Sequence, residues 1–232
     1  MSLRRKLFNG WLAVRCVVDG LRLHPSKTLH HIRSYNVFEL KTWQILSLGV
    51  HGEVFLREFT EACNEAEICP FLMWGTLLGC VREAGFLKHD YDIDIGILAR
   101  DWPKRDLLIE AMRRRGFGLE FSRNYKMRFL GRDLLAHMDV DVFFPWQGNM
   151  ICFDIQENDK LIGAWFPIDA FSNFRSLPFS GTCVSIPDPP ERVLEAAYGD
   201  WRTPTKDHDR SRTPWLHIAP GATWPKLTDD YT

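Results

Sequence analysis

From Tyr91 to Leu98 the chain alternates strictly, with Asp92, Asp94 and Gly96 on one side of a period of two and Ile93, Ile95 and Ile97 on the other. This is the pattern of a strand with one buried face. Asp suits strand interiors poorly, yet Asp90, Asp92 and Asp94 point the same way, with successive carboxyls ~7 Å apart along the strand. Like charges so placed repel unless something cationic sits among them. A second stretch repeats the device: between His137 and Phe144, Asp139 and Asp141 share one face and Val140 and Val142 the other. If the two strands are neighbours, a third carboxylate joins the first pair. A hard divalent cation, Mg2+ or Mn2+, is the natural counter-charge for such a cluster. Carboxylates sharing one or two such ions are what in-line phosphoryl transfer uses. Solvent-facing strand ends explain one Asp-x-Asp; two in one chain argue against that reading.

The flanking residues fit the same chemistry. Phe71 to Trp74 is a short apolar run that reads as a buried strand, followed at once by Gly75-Thr76 and by a helical stretch from Leu77 to Arg82 that Gly85 stops. A Gly-Thr pair at a helix N-terminus lets backbone N–H groups approach a phosphate, and Arg82 offers a planar fork to a pyrophosphate. Strand, Gly-Thr, helix, Asp-x-Asp strand and a later Asp strand follow one another in the order of a nucleotidyltransferase. Elsewhere the periodicity predicts helices over 53–67, 103–115 (with Leu107, Leu108 and Met112 inward) and 187–198. Strands are expected over 117–122, 125–130, 135–144 and 150–155, with an irregular connection over 25–50 and an extended, surface-lying end over 200–232. The expected class is α/β (α+β), a nucleotidyltransferase-like mixed sheet flanked by helices.

Composition removes several alternatives. The 232 residues carry a formal net charge of −1, with 45% hydrophobic and 25% charged residues, which excludes a strongly basic nucleic-acid binder and an acidic disordered tail. The six cysteines show no Cys-x-x-Cys and no zinc-ligand spacing, and read as reduced thiols, most of them buried as small apolar residues. Aromatics are abundant, with 9 Trp and 16 Phe, and are assigned mainly to the core. No run approaches the ~20 apolar residues of a membrane span. Arg15 and Asp19 interrupt the apolar segment behind Arg4, Arg5 and Lys6, unlike a cleaved secretory signal. Residues 3–22 instead place Leu7, Trp11, Val14, Val18 and Leu21 in one helical stripe flanked by Arg4, Arg15 and Arg22. Such a helix either lies in a membrane interface or packs on its own domain or a partner. The chain is therefore expected to be cytoplasmic, with peripheral membrane contact through this segment as one reading.

Several ordered motifs carry a resemblance. Trp74-Gly75-Thr76-Leu77-Leu78-Gly79-Cys80-Val81-Arg82, Gly85-Phe86, Asp90-Tyr91-Asp92-Ile93-Asp94-Ile95-Gly96 and Val140-Asp141-Val142-Phe143-Phe144-Pro145 together resemble the core of the LicD family. Leu177-Pro178-Phe179-Ser180-Gly181, the segment from Pro187 to Pro190, and Tyr198-Gly199-Asp200-Trp201 with Pro204 resemble its C-terminal signature. The resemblance spans about residues 53–204, and divides the chain into 1–50, a catalytic domain over 51–204, and a tail over 205–232. It implies a metal-dependent phosphotransferase moving a phospho-alcohol, such as phosphocholine or ribitol phosphate, from a CDP-activated donor to a sugar hydroxyl of a glycan or lipid-linked sugar. Carried residue by residue, it makes Asp92, Asp94 and Asp141 the expected metal ligands and catalytic carboxylates, and Asp90 and Asp139 orienting groups. Gly75, Thr76 and Arg82 fall on the donor side. Three other readings share the acidic strands: a nucleotidyltransferase moving NMP, a metal-dependent glycosyltransferase, and a non-catalytic scaffold.

Overall fold

The two Asp-bearing strands are direct, parallel neighbours at the centre of one mixed sheet. The computed structural model describes residues 14–23, 28, 40–123, 125–155, 161–204 and 216–218. The strands are β1 (Phe71–Leu72), β2 (Asp92–Leu98), β3 (Gly118–Arg123), β4 (Lys126–Leu130), β5 (His137–Trp146), β6 (Asn149–Ile155), β7 (Leu161–Pro167), β8 (Phe174–Phe179), β9 (Thr182–Pro187) and β10 (Leu216–Ile218). The main sheet runs β1-β2-β5-β6-β7-β10; β4 also pairs with β5 and carries β3, while β8 and β9 form a separate hairpin. On one edge of β5, residues 137–141 pair with β4 and residues 143–146 with β6. A parallel β2–β5 pair needs a crossover. It is supplied by a 3-10 turn (Ala99–Lys104), helix α3 (Arg105–Arg114) and the β3–β4 hairpin. With α1 (Leu40–Glu65), α2 (Trp74–Glu83) and α4 (Pro190–Tyr198), the result is the expected mixed sheet with helices packed against it.

The sheet's apolar face makes the core. Ile93, Ile95, Ile97, Met138, Val140, Val142, Met127 and Phe129 are all essentially inaccessible, and α1 covers them. Phe55, Phe59, Ala62 and Cys63 of α1 are buried at helical spacing, with Phe55 stacked on Phe117 at 4.7 Å and Phe59 edge-on to Phe129 at 5.9 Å.

Several expectations need correction. Residues 40–50 are the first turns of α1, not an irregular connection; Leu46 and Val50 pack against Cys16 and Leu135, partners too distant in sequence for a local pattern to reveal. β1 ends at Leu72, because Trp74 takes a positive φ of 46° and turns the chain into α2. The left-handed residue closing α2 is Ala84 (φ 52°), ahead of Gly85. Pro103 lies in the 3-10 turn before α3, and Leu107 is 62% exposed while Leu108, Ala111 and Met112 point inward. Strands β7, β8 and β9 have no counterpart in the sequence reading. The β8–β9 turn pairs Phe179 with Thr182 across Ser180 (φ 45°) and Gly181 (φ 72°), a left-handed pair that suits a tight hairpin. The N-terminal segment is helical over 14–23, but its buried residues are Cys16 and Gly20, and Val14, Val18 and Leu21 are exposed. Leu7 and Trp11 lie outside the described residues, as does most of 205–232; within that tail, β10 pairs antiparallel with β7.

Candidate active site

The register stacks the charged residues in three rows across β2, β5 and β4. Asp92 stands beside His137 and Leu130, Asp94 beside Asp139 and Arg128, and Gly96 beside Asp141 and Lys126. All point to the face opposite the isoleucines, because β2, β4 and β5 keep period two. Farther along this face the surface is aromatic. Phe71 packs with Phe143 at 5.5 Å, Phe171 at 5.8 Å and Phe174 at 5.0 Å. Gly96 lies at that boundary, and a Cβ there would stand 2.2 Å from the Phe71 ring. Many of the surplus aromatics thus close one end of the carboxylate face as core.

The start of α2 locks both carboxylate strands in place. The Trp74 indole Nε1 donates to Asp141 Oδ2 at 2.9 Å, and the Gly75 N–H donates to Asp94 Oδ2 at 3.1 Å. The Asp94 N–H donates to Thr76 Oγ1 at 2.8 Å, and the Met73 N–H donates to the Asp94 carbonyl at 3.1 Å. Consecutive residues of one turn therefore hold Asp141 of β5 and Asp94 of β2. A Cβ at Gly75 would lie 2.7 Å from Asp90 Oδ2 and 3.4 Å from Asp94 Oδ2, so a side chain there would displace the Asp90 carboxyl. The expected phosphate cradle thus has protein partners: Gly75 and the fully buried Thr76 both engage Asp94. Arg82 lies at the other end of α2, donating to the Trp201 carbonyl at 3.2 Å and to Glu83 at 3.1 Å. The Trp74 side chain is a site residue that sequence reasoning does not single out. Its one signal is its place at the head of the motif.

The carboxylates differ sharply in their company. Arg128 grips Asp139 with two hydrogen bonds of 2.6 and 2.9 Å. Lys126 Nζ sits 3.4 Å from Asp139 and 3.1 Å from Asp141. Burial pushes the Asp139 carboxyl up, but Arg128 and Lys126 outweigh it and hold it below the usual carboxylate range. Burial also raises Asp141, and there Lys126 and Trp74 offset it only in part. On β2 the balance reverses. Burial, then the charges of Asp92 and Asp90, drive Asp94 well above the usual range, and burial with Asp92 lifts Asp90 to about 8. The His137 ring borders Asp92, its Nε2 3.5 Å from Oδ2. Asp90 Oδ1 accepts the Tyr91 N–H at 3.2 Å, while its Oδ2 is buried with no hydrogen-bond partner.

Among the described residues, no three His, Cys, Asp or Glu side chains already converge as a metal-ligand group. The donor chemistry nevertheless suits a divalent cation. Ionising the β2 carboxylates together is opposed by burial and mutual repulsion, and the Asp90 Oδ2 is buried without a donor, the two conditions such an ion relieves.

A family model described as LicD/FKTN/FKRP, nucleotidyltransferase domain, matches residues 67–189, more than half of the chain. The chain belongs to the LicD family. The match spans β1 to the end of β9 and includes every carboxylate row and the whole of α2. Among curated relatives, human ribitol-5-phosphate transferase FKTN is 27% identical over 199 residues, covering 79% of this chain and 40% of the relative. The Macaca fascicularis protein of the same name is 26% identical over the same extent. Protein RP689 of Rickettsia prowazekii is 23% identical over 146 residues, covering 63% of this chain and 53% of the relative. The LicD chain described here thus spans about 40% of the length of the transferases it matches.

Proposed function

We propose that the chain is a phosphotransferase that moves a phospho-alcohol (phosphocholine, ribitol phosphate or a similar group) from a CDP-activated donor to a sugar hydroxyl of a cell-surface glycan, free or lipid-linked. The observation that carries this reading is that the β2 and β5 carboxylates share one face in adjacent register, with Asp94 and Asp141 held by adjacent residues of a single turn. LicD membership and the similarity to ribitol-5-phosphate transferases support the reaction class.

Asp92, Asp94 and Asp141 would hold a magnesium or manganese ion, with Asp90 Oδ2 as a further oxygen donor. Bound there, the ion would offset charge developing on the donor's phosphates. The chain's own groups do the rest. Asp141, buried and held by Trp74 and Lys126, would take the proton of the attacking sugar hydroxyl. The sugar oxygen then bonds to the phosphorus bearing the alcohol, the bridging P–O bond breaks, and CMP departs with that electron pair. Arg128 keeps Asp139 ionised and fixed beside Asp94. Gly75 and Thr76 fix the position of β2, and their turn is the proposed seat for the donor's phosphate end. Arg82, ~10 Å farther along α2, would reach a donor pyrophosphate only by releasing Trp201 and Glu83.

The test is a donor screen read by product mass. With a glycan acceptor and Mg2+, CDP-choline or CDP-ribitol should release CMP and add the phospho-alcohol mass to the acceptor. Transfer of NMP from an NTP with pyrophosphate release would establish the nucleotidyltransferase alternative, and hexose transfer from a nucleotide sugar the glycosyltransferase one. A chain that binds neither Mg2+ nor Mn2+ by calorimetry, even with CDP present, would be a scaffold.

A further inference from the structure

The helix over residues 14–23 has two unlike faces. One is docked: Cys16 is fully buried with Leu46, Val50 and Leu135, and Val17 and Trp43 pack around them. Gly20 is buried on the same side, where a Cβ would stand 2.5 Å from Thr28 Oγ1. Asp19 lies 3.9 Å from His51 of α1. The other face is apolar and bare. Val14, Val18 and Leu21 recur at i, i+4 and i+7 and are 63%, 57% and 39% exposed. At ~100° per residue, Arg15 and Arg22 fall together along one flank of this stripe. The helix thus turns its smallest side chains inward and presents valine and leucine to the outside.

Charge identifies what covers that face. The first 23 residues contain Arg4, Arg5, Lys6, Arg15 and Arg22 against the single acid Asp19, a net charge of +4. The whole chain carries −1, so the other 209 residues carry −5. A second copy would set one basic segment against another, which repels. An anionic lipid surface offers both what the valines and leucine lack and what the arginines attract: apolar depth beneath negative headgroups. We propose that the Val14-Val18-Leu21 face, with its arginine flank, lies on an anionic membrane surface. Its docking residue Leu135 is two positions before His137, which abuts Asp92. The helix therefore stands beside the carboxylate end of the sheet. On the transfer reading above, an acceptor carried in that surface would arrive there.

The experiment is co-sedimentation of the full chain with vesicles of phosphatidylcholine, alone or mixed with phosphatidylserine. The protein should pellet only with the mixed vesicles, and less as salt rises. Val18→Asp and, separately, Leu21→Asp or Arg22→Glu should each weaken binding roughly tenfold without moving Tm, since all three side chains are exposed. No pelleting, equal pelleting on both vesicle types, or undiminished pelleting of the Asp variants would overturn the proposal. So would a chain that sediments as a dimer and becomes monomeric on Val18→Asp. None of these readouts depends on turnover, so failure of the donor screen and failure of this test are separable.

Discussion

Two segments, Asp92-Ile93-Asp94 on β2 and Asp139-Val140-Asp141 on β5, are almost indistinguishable as sequence, yet Asp94 and Asp139, side by side in the register, are opposite as electrostatics. Both alternate acid with a buried β-branched residue, and their registers put the acids on one face. β5 is flanked by β4, which brings Lys126 and Arg128 into line with Asp141 and Asp139. β2 is flanked on its other edge by β1, only two residues of Phe and Leu, which brings no charge. Asp139 is consequently held below the usual carboxylate range and Asp94 driven well above it. An Asp-x-Asp pattern fixes which face the carboxyls share, and the neighbouring strand decides whether they are neutralised. Asp139 has its counter-charge built into the fold, whereas the β2 pair has none across β1, which is what the ion proposed above would supply.

That contrast predicts opposite outcomes for the same chemical change. Asp92→Asn or Asp94→Asn should lower transfer activity by roughly 10³-fold or more and leave folding intact. An amide removes repulsion, and at position 94 its carbonyl oxygen can still accept the Gly75 N–H. Activity assays beside a thermal melt check both halves. Near-wild-type turnover in either variant would remove β2 from the chemistry.

The β5 counterpart is Asp139→Asn. It leaves the half-buried Arg128 guanidinium without its bidentate acceptor. Removing one partner of such a pair costs more than the pair contributes, so stability should fall by ~2 kcal/mol in a urea melt. Arg128→Met, tested alone, should also destabilise by leaving Asp139 to Lys126. If Asp139→Asn melts like the parent while Asp94→Asn destabilises, the assignment of roles to the two strands is reversed.

How much of this is legible in the sequence follows the same division. The shared face is legible, because period two needs no knowledge of neighbours, and the fold class follows from the same periodicities. The pairing of β2 with β5 enters there only as a condition, and the register supplies it. What sequence does not show depends on contacts between distant segments. Lys126 and Arg128 alternate visibly, but their partners are set by the β4–β5 register. Thr76 reads as a phosphate ligand until its hydroxyl is seen accepting the Asp94 N–H. In the N-terminal helix the apolar stripe is legible and its exposure is not, since Leu46, Val50 and Leu135 dock the Cys16 side instead. The start of α1 escapes sequence reasoning for the same reason.

The smallest effect concerns pH, and here too the strands should part company. Asp90, raised to about 8 in the fold against an ordinary value of 3.8, is more easily protonated folded than unfolded. Its contribution to stability is complete below the unfolded value and drains away as pH rises toward 8. Asp139 has the opposite sign: held low, it contributes above the usual carboxylate range and loses that only as pH falls through its folded value. Between pH 6 and 7 Asp90 lies on its falling limb and Asp139 contributes no slope, so the metal-free chain should lose ~1 kcal/mol or more, a few °C in Tm. Asp90→Asn should reduce this slope, the remainder belonging to Asp94, whose carboxyl is also raised. Millimolar Mg2+ should flatten it in the parent as well, because a cation favours the ionised carboxyls of the folded state. A Tm series in EDTA that is level across this window would mean that the β2 carboxylates are already neutralised within the fold and need nothing from outside, and a slope unchanged by Asp90→Asn would take Asp90 out of the titration.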